Sequence, residues 1–122
     1  MAEKKFAGIS GTLESAELSA DYADAKVFDK VRAGRLGVYY RDGLRLRYIA
    51  YAQMERVFIR IQEVTGRMCC GSTVFAYFRL VFVVNGREYA EVISESESAM
   101  DGALAYIHEQ APEIPTGVAE KL

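Results

Sequence analysis

The stretch from Thr73 to Ile93, TVFAYFRLVFVVNGREYAEVI, constrains this chain more than any other. Phe78, Leu80, Phe82 and Val84 fall two apart and so share one face of a pleated strand. Asn85-Gly86 supplies the positive φ angles that a tight hairpin needs, so two strands joined there are expected. Glu91 decides their register. A two-residue loop would set Leu80 opposite Glu91 and turn that carboxylate into the apolar face. A three-residue loop of Asn85, Gly86 and Arg87 instead sets Leu80 opposite Val92 and Phe82 opposite Ala90. Burying Glu91 without a partner costs more than a bulge, so the sequence predicts the longer loop, with Gly86 left-handed and a bulge beside it.

The rest of the chain must build on that hairpin within 122 residues, enough for one domain with a real core and too few for two. Hydrophobic residues at 51% against 26% charged exclude disorder of the whole chain. The longest apolar run, Leu80 to Val84, falls well short of the ~20 residues that cross a bilayer, so no transmembrane segment is expected. The opening MAEKKFAGISG has basic residues with no apolar stretch behind them and does not read as a secretory signal. Cys69 and Cys70 are adjacent, and neighbouring cysteines close only a strained ring. Free thiols and a cytoplasmic location are therefore expected.

Charge is distributed unevenly. All ten arginines lie between Arg32 and Arg87 against three acids, Asp42, Glu55 and Glu63, so this middle carries +7. From Glu88 onward eight acids face Lys121 alone, giving -7. With a pI near 5.5 this reads as a basic sheet complemented by an acidic helix, and a nucleic-acid partner is not expected.

Reading in order, Met1 to about Gly11 is a frayed end or an added edge strand. In Ser15 to Val31, Leu18, Tyr22, Ala23, Val27, Phe28 and Val31 recur at intervals of about three and four, which predicts a helix over about 15–33, with Ser19 as N-cap and Gly34 as its stop. Antiparallel strands then occupy 35–93. The first hairpin joins Arg35–Tyr40 to Leu44–Ala50 through Arg41-Asp42-Gly43. On its second strand Leu44, Leu46 and Tyr48 share one face, and Arg45 and Arg47 project from the other, toward solvent or a ligand. Glu55 to Glu63 alternates, with Val57, Ile59 and Ile61 inward and Arg56, Phe58, Arg60 and Gln62 outward. Val64 to Ser72, with Gly66 and Gly71, reads as a loop. Ser94-Glu95-Ser96-Glu97 reads as a capping box opening a helix over 95–110, whose stripe is Met100, Ala103, Leu104, Ile107 and Ala111. Pro112 and Pro115 end it, and 112–122 is a tail. The expected core gathers Val57, Ile59, Ile61, Phe78, Leu80, Phe82, Leu104 and Ile107.

The segments YYRDGLRLRYI, MERVFIRIQ and FRLVFVVNGREY, followed by the closing SESESAMDGALAYI, resemble the pleckstrin-homology-like superfold, and bacterial families of it in which a chain of this size stands alone. The resemblance covers roughly Arg35 to Gln110 and rests on element order. It implies an α+β fold in which bent antiparallel strands form a split barrel and a C-terminal helix plugs one end, with the N-terminal helix as an addition. It also implies a binding or protein-interaction module. Members that bind phosphoinositides carry a basic residue in the first hairpin and basic-x-basic on the next strand, which Arg41 and Arg45-Leu46-Arg47 imitate. Several guanidiniums on one face can grip a phosphate through bidentate, charge-assisted hydrogen bonds. Alternation alone also places arginines on any solvated strand, which is the commoner origin of such a row.

Catalytic signals are sparse. His108 is the lone histidine and sits where it caps the last carbonyls of an acidic helix. Cys69 and Cys70 lack the spacing of a zinc motif. A nucleophilic cysteine, its thiolate favoured by Arg67, is the enzymatic alternative. Phosphate-loop and nucleophile-elbow motifs are missing from the sequence. The expectation is a non-enzymatic binding domain without cofactor, metal or catalytic residues. Its candidate ligand-binding residues are Arg41, Arg45, Arg47, Arg56 and Arg60, for a protein partner or a small anionic ligand such as a phospholipid headgroup. An exposed sheet edge offers a route to a homo-oligomer.

Overall fold

In a computed structural model describing residues 5–8, 11–68 and 71–118, the chain forms two sheets and two helices. The first sheet holds β1 (Lys5–Gly8), β2 (Gly11–Glu14), β3 (Lys26–Phe28), β4 (Val31–Ala33), β5 (Gly37–Asp42) and β6 (Arg45–Ala50), in the order β2-β1-β6-β5-β4-β3. The second holds β7 (Arg56–Met68), β8 (Gly71–Val84), β9 (Arg87–Ser94) and β10 (Thr116–Val118), in the order β10-β7-β8-β9. Each sheet is mixed: β1 lies parallel to β6 and β10 parallel to β7, while the other pairs are antiparallel. Helix α1 spans Ala16–Asp24 and α2 spans Glu97–Gln110. The α+β class expected from the sequence holds, but the two sheets do not join into a closed barrel.

The apolar alternation read in β7 and β8 builds the main core. Val57, Ile59, Phe78, Leu80 and Phe82 face Val31, Val38 and Ile49 of the first sheet. Helix α2 lies across one end and brings Met100, Ala103 and Ile107 into the same core, while Ile61 and Leu104 are partly buried at its margin. The first sheet also buries its other face. There Phe6, Leu18, Tyr39 and Tyr48 form a second core under α1, with Tyr39 and Tyr48 stacked at 5.1 Å between ring centroids. Asp21, buried, holds this layer together. It accepts from the amides of Arg35 at 2.8 Å and Leu36 at 3.1 Å, and from the Tyr39 hydroxyl at 2.7 Å. Burial, reinforced by this bond to the carboxylate, pushes the Tyr39 phenol far above its ordinary value.

Several expected boundaries change. The N-terminal helix stops at Asp24 rather than near residue 33, and Val27, Phe28 and Val31 belong to the β3–β4 hairpin. Asp29 turns that hairpin at φ 56°, a left-handed conformation that Asp tolerates, and pairing of β4 with β5 outweighs the helical spacing. The N-cap is Ser15, which accepts from the Leu18 amide, not Ser19. Gly34 does not stop a helix. A Cβ there would stand 2.3 Å from Asp21 Oδ2, so the residue is small because the carboxylate lies against it. Helix α2 starts two residues later than expected, capped by Ser96 on the Ala99 amide. Ser94, the last residue of β9, accepts from the Ser96 amide and donates to Asp29. The loop expected over Val64 to Ser72 is instead the continuation of β7 and β8, with Cys69 and Cys70 outside the described residues. Part of the expected tail, Thr116–Val118, is strand β10, and the opening segment contributes the β1–β2 hairpin.

The central hairpin keeps the expected pairing by a different device. Leu80 is opposite Val92 and Phe82 opposite Ala90, so Glu91 faces outward. The turn, however, has two residues, Asn85 at φ 52° and Gly86 at φ 74°, and Val84 pairs with Arg87. The parity change comes at a bulge further along, where Tyr89 is the extra residue between the partners of Val83 and Phe82.

Candidate functional site

A cleft of about 450 Å³ opens between the far ends of β5 and β6 and the edge strand β9. Its walls carry Lys30 from the β3–β4 turn, Arg41 and Asp42 from β5, Arg47 from β6, and Tyr89 and Glu91 from β9. Tyr40 closes its inner side, with its ring stacked on Phe82 of the main core at 6.4 Å.

The register explains how an arginine reaches this place. Tyr40 faces Arg47, and Val38 faces Ile49, so Arg47 lies in the row of inward positions and continues it past the point where apolar packing ends. The arginine face of β6 is thus the side between the sheets, while Leu46 and Tyr48, expected on the core face, pack under α1. Because the first sheet is covered on both sides, simple alternation does not reveal which row meets the main core.

Arg47 is held from two directions. Its Nε donates to Asp42 at 3.0 Å, and its Nη1 lies 3.5 Å from the Tyr89 hydroxyl. Burial works against the charge, but Tyr40, Tyr89 and Asp42 outweigh it, so the guanidinium is raised above its ordinary value and stays charged. Tyr40 is pushed up to about 12, first by burial and then by Tyr89, with Arg47 pulling the other way. Glu91 is engaged by Arg79 from the outer face of the second sheet. With Asp42 and Glu91 each compensated, Lys30 and Arg41 add positive charge to a cleft whose other ionic groups are paired.

The five candidate arginines therefore separate. Arg41 and Arg47 line the cleft, and Arg45 stands at the exposed tip of the same hairpin, opposite Asp42 in register. The tip is made by Gly43 at φ 62° and Leu44, which is 99% exposed. Arg56 and Arg60 lie elsewhere, on the outer face of the second sheet. Their guanidiniums cover the Phe58 ring at 4.6 and 5.3 Å, leaving it 4% exposed, and Arg60 is bound by both oxygens of Glu88. A phosphate cannot engage both sets at once.

Sequence reasoning missed Lys30, Tyr40 and Tyr89. Lys30 was hidden inside the overlong helix, although Asp29-Lys30 between β-branched and aromatic residues is a turn signal. Tyr89 falls in the outward row of the expected three-residue loop, and the two-residue turn with its later bulge returns it to the cleft side. Among the described residues no group of three His, Cys, Asp or Glu side chains could hold a metal ion, and no helix is long and apolar enough to cross a membrane. No family model, no curated protein and no solved structure matches the chain.

Proposed function

We propose that the chain is a non-enzymatic binding domain of pleckstrin-homology-like type, and that its cleft receives a small anionic group, a phosphate or phosphate ester. The carrying observation is the pair Lys30 and Arg41 beside a guanidinium already oriented by Asp42 and Tyr89. An orienting hydrogen bond removes part of the entropy cost of fixing a long side chain before an anion arrives. The Tyr40 phenol, pushed up to about 12, remains a protonated donor throughout the neutral range. The superfold reading is supported by the element order: a meander β3 to β6, a second meander β7 to β9, then a helix against the gap between them.

The test is a titration with glycerol phosphate and inorganic phosphate, followed by backbone amide chemical shifts. Saturable changes confined to Lys30, Arg41 and Tyr89, weakening as salt rises, are expected. Sedimentation with zwitterionic vesicles, with and without anionic phospholipid, then distinguishes a lipid headgroup from a free phosphate. Absence of any saturable change with either anion or with vesicles would remove the proposal.

A further inference from the structure

The apolar face of the first sheet under α1 is only partly covered. In the strand register Val27 stands beside Arg32, Arg32 beside Tyr39, and Arg41 beside Leu46, so these side chains rise from one face, the one that carries the second core. Helix α1 ends at Asp24, with Tyr22 in its last turn, and the far end of this face lies beyond it. A hollow of about 330 Å³ opens there. Tyr39 and Leu46 line it from the sheet, Tyr22 from the helix, and Val27, 58% exposed, from the edge strand β3. A β-branched apolar side chain left that open on an edge strand forms one wall of a recess whose floor is already apolar.

Charge borders this recess, and it is mostly of one sign. Lys30, Arg32 and Arg41 line the hollow against Asp29, whose carboxylate already accepts from the Ser94 hydroxyl. Lys30, Tyr40 and Arg41 also line the cleft described above, so the two hollows meet along a ridge that carries two cations. An anion held by Lys30 and Arg41 therefore has an apolar recess within reach of whatever is attached to it. The walls favour a ring over a chain. Tyr22 and Tyr39 meet edge to face at 5.3 Å, and the Arg32 guanidinium stands over the Tyr22 ring at 4.5 Å. Ring edges and guanidinium faces attract a flat π system beyond what burial supplies, whereas an alkyl chain gains burial alone. A cavity of about 150 Å³ holds benzene, so the hollow has space for one ring with its first substituent.

We infer that the ligand is a small aromatic anion, its charged group between Lys30 and Arg41 and its ring in the hollow beside α1, over Leu46 and Val27 and against the Arg32 guanidinium. This rests on the anion site proposed above and supplies the organic part of its ligand. The full chain is titrated with inorganic phosphate, phenyl phosphate and cyclohexyl phosphate, and methyl and amide resonances are followed. Phenyl phosphate is expected to bind about tenfold more tightly than inorganic phosphate, and about threefold more tightly than cyclohexyl phosphate, which has the same bulk without the π system. The ring current of the phenyl group should move the methyl resonances of Val27 and Leu46, which inorganic phosphate leaves in place. Val27→Ser, at an exposed edge position, should weaken phenyl phosphate by about threefold and leave inorganic phosphate unchanged. Phenyl phosphate no tighter than inorganic phosphate, cyclohexyl phosphate as tight as phenyl, or Val27 and Leu46 methyls that do not respond to the ring each overturns the inference while the anion site stands. No saturable change with any of the three removes the anion site and this inference together.

Discussion

On the outer face of the four-stranded sheet, arginines and acids complete one another. Arg60 meets Glu88 from β9, and Arg79 reaches both Gln62 and Glu91, so that Val81 beneath them is fully buried. At the cleft, by contrast, only Arg47 is engaged by an acid of its own wall, and Lys30 and Arg41 stand beside it without a carboxylate among the partners described above. The same residue type serves packing in one place and offers charge in the other. What differs is the strand opposite. Strand β9 commits Glu88 and Glu91 to guanidiniums of the outer face, whereas Tyr89, the extra residue of the bulge, offers the cleft a hydroxyl.

The largest expected effect would break or sustain that contrast directly. Reversing Lys30 and Arg41 together to Glu removes two charge-assisted contacts, each worth roughly 1.5–3 kcal/mol, so phosphate affinity should fall by about 100-fold or more. The thermal midpoint should barely move, because exposed charges contribute little to stability. Arg56→Glu with Arg60→Glu should do the opposite, lowering the midpoint and leaving phosphate affinity as it was. Calorimetric titration and thermal scans of both double variants check this. The contrast collapses if the second pair abolishes binding.

Next in size is Arg79→Ala. This guanidinium donates to Gln62 at 3.0 Å and to Glu91, over a buried Val81, and its loss should cost about 1–2 kcal/mol in chemical denaturation. Arg45→Ala, at the exposed hairpin tip, should stay within about 0.5 kcal/mol of wild type. Equal costs at the two positions would mean that the outer ladder is decoration.

These contrasts were partly legible in the sequence. Alternation at Val57, Ile59, Phe78, Leu80 and Phe82 fixed the main core, and the charge of Glu91 was enough to infer the pairing of Leu80 with Val92. The same charge could not locate the bulge, since any odd insertion between the turn and Phe82 restores parity. Helical spacing in Val27, Phe28 and Val31 misled because β3 and β4 gain their stability from pairing with β5, which no local window contains. Nothing local in the sequence marks Asp21 as a buried carboxylate. Its partners, the amides of Arg35 and Leu36 and the phenol of Tyr39, are fourteen or more residues away. Two of the five candidate arginines reached the cleft because hairpin register is local, and two did not because they belong to the other sheet.

Tyr40 gives a smaller, spectroscopic effect on the cleft side. With its phenol pushed up to about 12 from a usual value near 10, the neutral form is favoured in the folded state. Its contribution is therefore fully present below pH 10 and is lost as pH rises through about 12. Ultraviolet titration of wild type against Tyr40→Phe should remove one late-ionising phenol. Loss of an early one instead would mean that Tyr40 is open to water.

The smallest effect belongs to the outer ladder and has the opposite sign. The hydrogen bonds from Arg60 hold the Glu88 carboxyl below its ordinary value of 4.5, against an opposing push from burial and with help from the Arg60 charge. A carboxyl whose folded value is depressed binds fewer protons in the folded state, so stability is present above the unfolded value and drains away as pH falls through the folded one. The pair is half-exposed on the Glu88 side, so water and salt screen most of that gain. Lowering the pH from 6 to 3 should therefore cost wild type only slightly more than Glu88→Gln, a difference in thermal midpoint on the order of 1–3 °C that shrinks further in high salt. Identical acid sensitivity in the two proteins at low salt would show that Arg60 gains nothing from Glu88. Its place over Phe58 would then rest on the ring alone.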